Sequence, residues 1–457
     1  MRRYTKKRKT IKGRNKRKRQ RRTYTRNKKG GALDENAKNV VEQSIKNKST
    51  ALSNILQTYC SNPSNCLTLG HYGDYIKQFF ENFRNLTYVD NKALKRIGND
   101  SANGVIIQVP FKKDGYTAYT ALKCSTKQIS DNLFYEYYVG KYFLNTYIKK
   151  FPLFLETYDC YEIYNQNMWQ QLINFSNNNS FPPSFNIQNF IRRVKVDEND
   201  MSMFEESCVK NKLLCILIQY FDKFYAFGEK FDNDFDSIKY DIYNILYQIY
   251  FVLCYLNDKY THYDLHPRNV FLYKPYDGDK CILMRYHTSK AVYEFKSEYI
   301  VKVIDYGRNF FDNGKVKSGD IIHNYICGKP KCEPDCGDGY GYRAIATNTQ
   351  NPEYYYWINP EVPNRSHDLR LLSEPDMVDF LYRHFKLFIQ YNEDYGTPED
   401  MSNIPDTLTN IFSIKVFLES FIPGFNNNKN DKKYGNWTVA ATMDIYDDGR
   451  EYEFKEL

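Results

Sequence analysis

The chain has 457 residues, 42% hydrophobic and 26% charged, which allows two or three ordinary domains or one large domain with insertions and excludes a fibrous or low-complexity protein. Its net charge of +9 is unevenly spread: residues 1–29 hold 17 of the 64 Lys and Arg, no acid precedes Asp34, and the remainder carries 47 basic against 55 acidic residues. The longest apolar run, "ILYQIYFVLCYL" at 245–256, is too short to cross a bilayer and contains Gln248, and no apolar segment follows the basic start. These features predict a soluble intracellular protein, in cytoplasm or nucleus, with no membrane partner and 11 Cys that are mostly free thiols.

Residues 1–31 cannot bury apolar surface and are predicted to be a disordered basic tail suited to nucleic acid or an acidic partner, ending at Gly30-Gly31. Residues 32–94 form a helical extension, from the three-to-four spacing of apolar residues in "VVEQSIKNKSTALSNIL" and "YIKQFFENF". Strands follow in "GVIIQVPF" and "YTAYTALKC" around a turn at Lys113-Asp114-Gly115. A helix in "SDNLFYEYYVGKYFLNTYI" has Ser130 or Asp131 as its cap. The Asn-rich residues 162–210 read as an insertion, and "KLLCILIQYF" at 212–221 as a buried strand. From Ile238 to Leu256 the apolar spacing predicts a buried helix. A strand "VFLY", an insertion from Pro275 to about Glu298 and a strand "YIVKVIDYGR" come next. Residues 308–360 read as loop and the C-terminal part as helical.

Between that buried helix and "VFLY" lies "YTHYDLHPRNVFLY", which holds His262, Asp264, His266 and Asn269. Phosphoryl transfer from a nucleotide needs oxygen ligands for Mg²⁺, a cation on the phosphates and a carboxylate that orients the incoming hydroxyl. Asp264 and Asn269 match the H-x-D-x-x-x-x-N spacing. Asp305 stands after a strand and before Gly307, and Lys123 ends a strand that repeats A-x-K with Ala121 on the same face. Glu136 lies thirteen residues on, on the helix expected to face Lys123. Taken singly, each has an ordinary alternative as a turn, cap or solvated residue; the specific signal is their order.

On these residues the stretch 95–375 resembles protein-kinase-like phosphotransferases. With "KRIGNDSANGVIIQV", "DNLFYEYYVG" and "PLFLETYDCY" behind the basic tail, it resembles more narrowly the serine/threonine protein kinases of large nucleocytoplasmic DNA viruses. The resemblance implies an α+β, two-lobed fold with insertions: a small β-rich N-lobe over 95–222, with its insertion at about 162–210, and a larger helical C-lobe over 223–457. It implies ATP and Mg²⁺ as cofactors, protein Ser/Thr hydroxyls as acceptors, and Asp264 as catalytic base. Asn269 and Asp305 would be the Mg²⁺ ligands, with Lys123, paired to Glu136, on the nucleotide phosphates. Gly98 and Gly104 would border the phosphates, Gln219 and Tyr220 would offer backbone to adenine, and Asp368 would brace the base loop.

The sequence departs from that pattern in places. "GNDSANG" lacks a central glycine, which loosens the phosphate cradle. Tyr263 replaces the usual Arg, arguing against control by a phosphorylated activation loop. His266 stands where Lys is usual, a form shared with aminoglycoside and choline kinases, so a small-molecule kinase is the second reading; a non-catalytic nucleic-acid-binding or virion scaffold is the third. The long Asn269–Asp305 separation predicts an inserted hairpin. His323, Cys327, Cys332 and Cys336 are four candidate Zn²⁺ ligands, against the plainer reading of free thiols in a Gly/Pro loop.

Overall fold

A computed structural model describes residues 49–63, 66, 69, 72–101, 104–125, 133–179, 181–204, 212–327, 359–389, 407–425 and 431–457. The basic tail, the caps Ser130 and Asp131, and Cys332 and Cys336 lie outside them. Everything below concerns the compact unit Leu52–Leu457.

Six strands form the larger sheet: β1 (Lys95–Ser101), β2 (Gly104–Lys113), β3 (Tyr116–Cys124), β4 (Thr157–Ile163), β5 (Ile191–Arg193) and β6 (Leu214–Gln219). Their order is β1-β2-β3-β6-β4-β5, antiparallel throughout. The turn Asp114-Gly115 joins β2 to β3, both residues at positive φ as a tight hairpin requires. Alternation along β3 and β6 sets two faces. Leu122, Cys124, Cys215 and Leu217 face an apolar core shared with Phe80, Phe83 and Trp169, while Lys123 and its cross-strand neighbour Ile216 face the other way. Helix Leu133–Tyr138, buried along its whole length, continues as a π-helical turn Val139–Phe143.

The helix Ile242–Tyr255 is buried at every position but its last, so it forms the core of the rest of the chain. Gln248, the polar residue in the longest apolar run, is satisfied at both ends: Nε2 donates to Tyr299 O (3.1 Å) and Oε1 accepts from Val301 N (2.9 Å). That ties the helix to the strand leading to Asp305. Around it run β7 (Phe224–Ala226), β8 (Tyr260–Thr261), β9 (Val270–Tyr273), β10 (Lys280–His287), β11 (Val292–Ser297), β12 (Ile300–Val303) and β13 (Phe310–Phe311). Then come the short β14 (Phe388–Ile389) and β15 (Thr407–Leu408), the helix Ile411–Phe425, and β16 (Thr438–Tyr446) with β17 (Glu453–Glu456). The inserted hairpin is present as β10 and β11, and it joins a sheet of order β11-β10-β16-β17 in which β16 runs parallel to β10.

The architecture is thus mixed α+β, and several sequence expectations need correction. The Asn-rich stretch contains a helix, Gln166–Asn177, capped by the Asn165 side chain on Met168 N, and the strand β5. Residues 318–326, read as loop, are helical, with Ile321, Ile322 and Ile326 buried on one side. The C-terminus adds a strand pair. Cys60 and Cys66 form a disulfide, whereas Cys124, Cys160, Cys215, Cys254 and Cys281 are buried free thiols. Among the described residues no helix is long and apolar enough to cross a membrane.

Candidate functional site

Strand pairing brings the sequence-distant residues together. β9 and β12 are antiparallel with Val270 opposite Val303, and Ile304 N donates to Asn269 O at 3.0 Å. The loop ending at Asn269 and the turn beginning at Asp305 therefore leave the same end of one strand pair. From the larger sheet Lys123 reaches across: Nζ lies 2.6 Å from Glu136 Oε2 and 3.3 Å from Asp305 Oδ1. Lys123 and Glu136 are 8% and 7% exposed, so this ion pair is poorly screened. Burial alone would raise the Asp305 carboxyl, but Lys123, His262 and Arg308 outweigh it and hold Asp305 below its ordinary range.

Backbone strain marks the same residues. Asp305 takes φ +67° and Tyr263 φ +60°, conformations that cost a non-glycine residue roughly 1–3 kcal/mol and persist only where the surroundings enforce them. For Tyr263 the enforcing contacts are visible. Its N–H donates to Asp368 Oδ1 (3.0 Å), its hydroxyl to Val362 O (2.9 Å), and its ring packs edge-on to His367 at 4.8 Å. Asp368 also accepts His262 N–H at 2.9 Å, and Tyr250 donates to Asp368 O at 3.0 Å. Asp368 thus braces the loop that carries Asp264, although burial pushes its carboxyl up to about 7 against the His262 and Tyr263 amides and Arg370. His262 bonds Ile304 O at 3.0 Å through Nε2, and burial holds it below its usual range.

Asn269 donates Nδ2 to Asp264 O at 2.9 Å, which fixes the amide and turns its oxygen away from that bond. The amide oxygen of Asn269 and the Asp305 carboxylate are hard donors at the same end of the β9–β12 pair. Mg²⁺ commonly takes one or two protein ligands and completes its shell with phosphate and water, so this pair fits it. Helix Leu133–Tyr138 is secured to the Asp305 segment by Tyr135, whose hydroxyl lies 3.1 Å from Asn309 Oδ1. Tyr306 fixes the turn from within: its hydroxyl donates to Val303 O (2.8 Å) and accepts from Leu155 N (2.9 Å).

Other predicted positions are less direct. Gly98 adopts φ +76° at the register shift between Ile97 and Ser101, which suits glycine, and Gly104 opens β2 opposite Ser101. Gln219 N–H already donates to Glu156 O at 2.8 Å, which removes one backbone group expected to meet a nucleobase. The Tyr220 ring packs edge-on to Tyr119 at 6.1 Å. Of the zinc candidates, His323 Nε2 lies 3.0 Å from Glu361 Oε1, and Cys327, which caps the same helical turn, is disulfide-bonded and so is neither a free thiol nor a thiolate ligand; no group of three or more His, Cys, Asp or Glu among the described residues could hold a metal ion.

One site residue escaped sequence reasoning. Arg370, two positions after Asp368, donates Nη1 to Asp264 Oδ1 at 2.8 Å. The chain matches no protein-family model and no curated protein at significant similarity.

Proposed function

We propose that this chain is an ATP- and Mg²⁺-dependent phosphotransferase with the two-lobed, protein-kinase-like architecture its sequence resembles, acting on Ser/Thr hydroxyls of proteins. The observation that carries the reading is Lys123 bridging Glu136 and Asp305, with the Asp264–Asn269 loop leaving the same end of the β9–β12 pair as Asp305. In this reading Lys123, oriented by Glu136, grips the α and β phosphates, Asp264 orients the acceptor hydroxyl and receives its proton, and Asn269 and Asp305 hold the metal. Bound there, Mg²⁺ neutralises charge on the phosphates. The strained turn at Asp305 supports this role, since such strain gathers at functional sites.

His266 is the observation that favours a small-molecule acceptor. Burial, only partly opposed by Asp264, holds its imidazole below the usual range, so it is neutral where a Lys would be charged. The test is transfer from labelled ATP with Mg²⁺ by the full chain, offered protein mixtures in one arm and aminoglycoside or choline acceptors in the other. Labelled protein that disappears in Asp264→Asn supports the protein reading, and labelling confined to the small acceptors moves the substrate class. No transfer and no Mg-ATP binding overturns both. The basic tail suits a polyanion, and salt-sensitive nucleic-acid binding lost on deleting residues 1–29 tests that separately.

A further inference from the structure

The loop bearing Asp264 is held at two points by one short element. In the 3-10 helix His367–Leu372, Asp368 takes the loop amides and Arg370 takes the carboxylate. The Arg370–Asp264 contact is not a solvated surface pair, because the two side chains are 21% and 13% exposed. His266 Nε2 approaches the same oxygen, Oδ1, at 3.8 Å. Arg370 is the closer partner of that oxygen, at 2.8 Å, and a guanidinium stays charged across the working pH range. Tyr263, meanwhile, leaves the loop without the arginine that the resemblance would place beside the aspartate.

We propose that Arg370 is a positioning residue for the acceptor: by fixing Oδ1 it presents Asp264 Oδ2 to the incoming hydroxyl. The inference rests on the phosphotransferase reading. In the step concerned, the acceptor O–H gives its proton to Asp264 and its oxygen forms the new bond to the γ-phosphorus. The bond from that phosphorus to the β,γ-bridging oxygen breaks, its electron pair leaving with the nucleoside diphosphate. A cation beside a carboxylate weakens any base. Phosphoryl transfer through a loose transition state, however, asks little basicity of the carboxylate and much of its orientation. A bond that fixes one oxygen therefore gains more rate than it loses.

Steady-state kinetics of Arg370→Ala and Arg370→Lys test this, alongside melting midpoints and Mg-ATP binding. The expected result for Arg370→Ala is a fall in kcat of about 100-fold with KM for ATP changed by less than about two-fold. Arg370→Lys recovers part of the loss, since an ammonium supplies charge without the planar fork, and free guanidinium ion restores rate to Arg370→Ala. The assignment is overturned if Arg370→Ala keeps wild-type kcat or exceeds it, or if neither lysine nor guanidinium recovers the loss. Wild-type protein that transfers no phosphate fails the reading beneath; active wild-type protein with an equally active Arg370→Ala fails this inference alone.

Discussion

Lys123 Nζ lies 3.3 Å from Asp305 Oδ1, although 182 residues separate them in the chain. The contact joins two different sheets. Lys123 is placed by its register between Ile106 and Ile216 in the six-stranded sheet, and Asp305 by the β9–β12 pair. A lysine that meets the aspartate while paired to Glu136 therefore links the six-stranded sheet to the β9–β12 pair electrostatically.

Lys123→Met should abolish nucleotide-dependent transfer and also lower stability. It leaves the Glu136 carboxylate buried without its cation, a penalty of about 3–5 kcal/mol when one member of a buried pair is removed. Adding Glu136→Gln removes that stranded charge. The double variant should melt above Lys123→Met while staying inactive. Additive losses in the thermal midpoints would show that the pair is not coupled.

Asp305→Asn should remove the Mg²⁺-dependent part of nucleotide binding. Asparagine tolerates the left-handed backbone at φ +67°, so the turn keeps its conformation. Wild-type protein should gain about 2.7 kcal/mol from Mg-ATP at a hundred times its dissociation constant. In the variant the Mg²⁺-dependent part of that gain should vanish, measured from a ligand-free midpoint that is itself lowered by the lost charge contact with Lys123. A full shift on adding Mg²⁺ to the variant would remove Asp305 from the metal site.

Gln248→Leu should destabilise the chain despite raising its hydrophobicity. The substitution orphans Val301 N–H in the strand leading to Asp305, while Tyr299 O keeps its bond from Ser297 Oγ at 2.9 Å. Each buried unsatisfied group costs about 1–3 kcal/mol. Chemical denaturation should show a lowered midpoint with an unchanged slope, and an unaltered midpoint would mean that the amide bonds contribute nothing net.

Local spacing made much of the candidate site legible. Asp264 to Asn269, Lys123 to Glu136 and the Gly after Asp305 are offsets within one loop, one strand–helix step and one turn. Arg370 was not legible, because its partner lies 106 residues away and nothing in "HDLRLL" separates a cleft cation from a solvated one. The helix Gln166–Asn177 was obscured by its asparagines, yet Met168, Trp169, Leu172 and Ile173 keep helical spacing and Asn165 is a sound cap. Strand β16 alternates Val439, Ala441, Met443 and Ile445. Its parallel neighbour β10 lies more than a hundred residues earlier, and no sequence rule pairs them.

The support under the Asp264 loop should be sensitive to acid, and His367 isolates that effect. It is fully buried against Tyr263; burial first, then Arg370 and His262, holds its imidazole well below the usual range. The native protein keeps His367 neutral, whereas the unfolded chain takes up a proton below about pH 6.5. The unfolded state then binds more protons than the native one, so this group's contribution to stability falls as pH drops, by up to about 1.4 kcal/mol per pH unit. Asp368, pushed up to about 7, drifts in the opposite sense, but it titrates in wild type and variant alike and drops out of their difference. His367→Gln should therefore be less stable than wild type at about pH 7.5, with a deficit that narrows at about pH 5.5 as wild-type protein loses its advantage. Thermal midpoints at the two pH values decide it, and a deficit that stays constant or widens in acid would show that the buried imidazole is protonated in the native state.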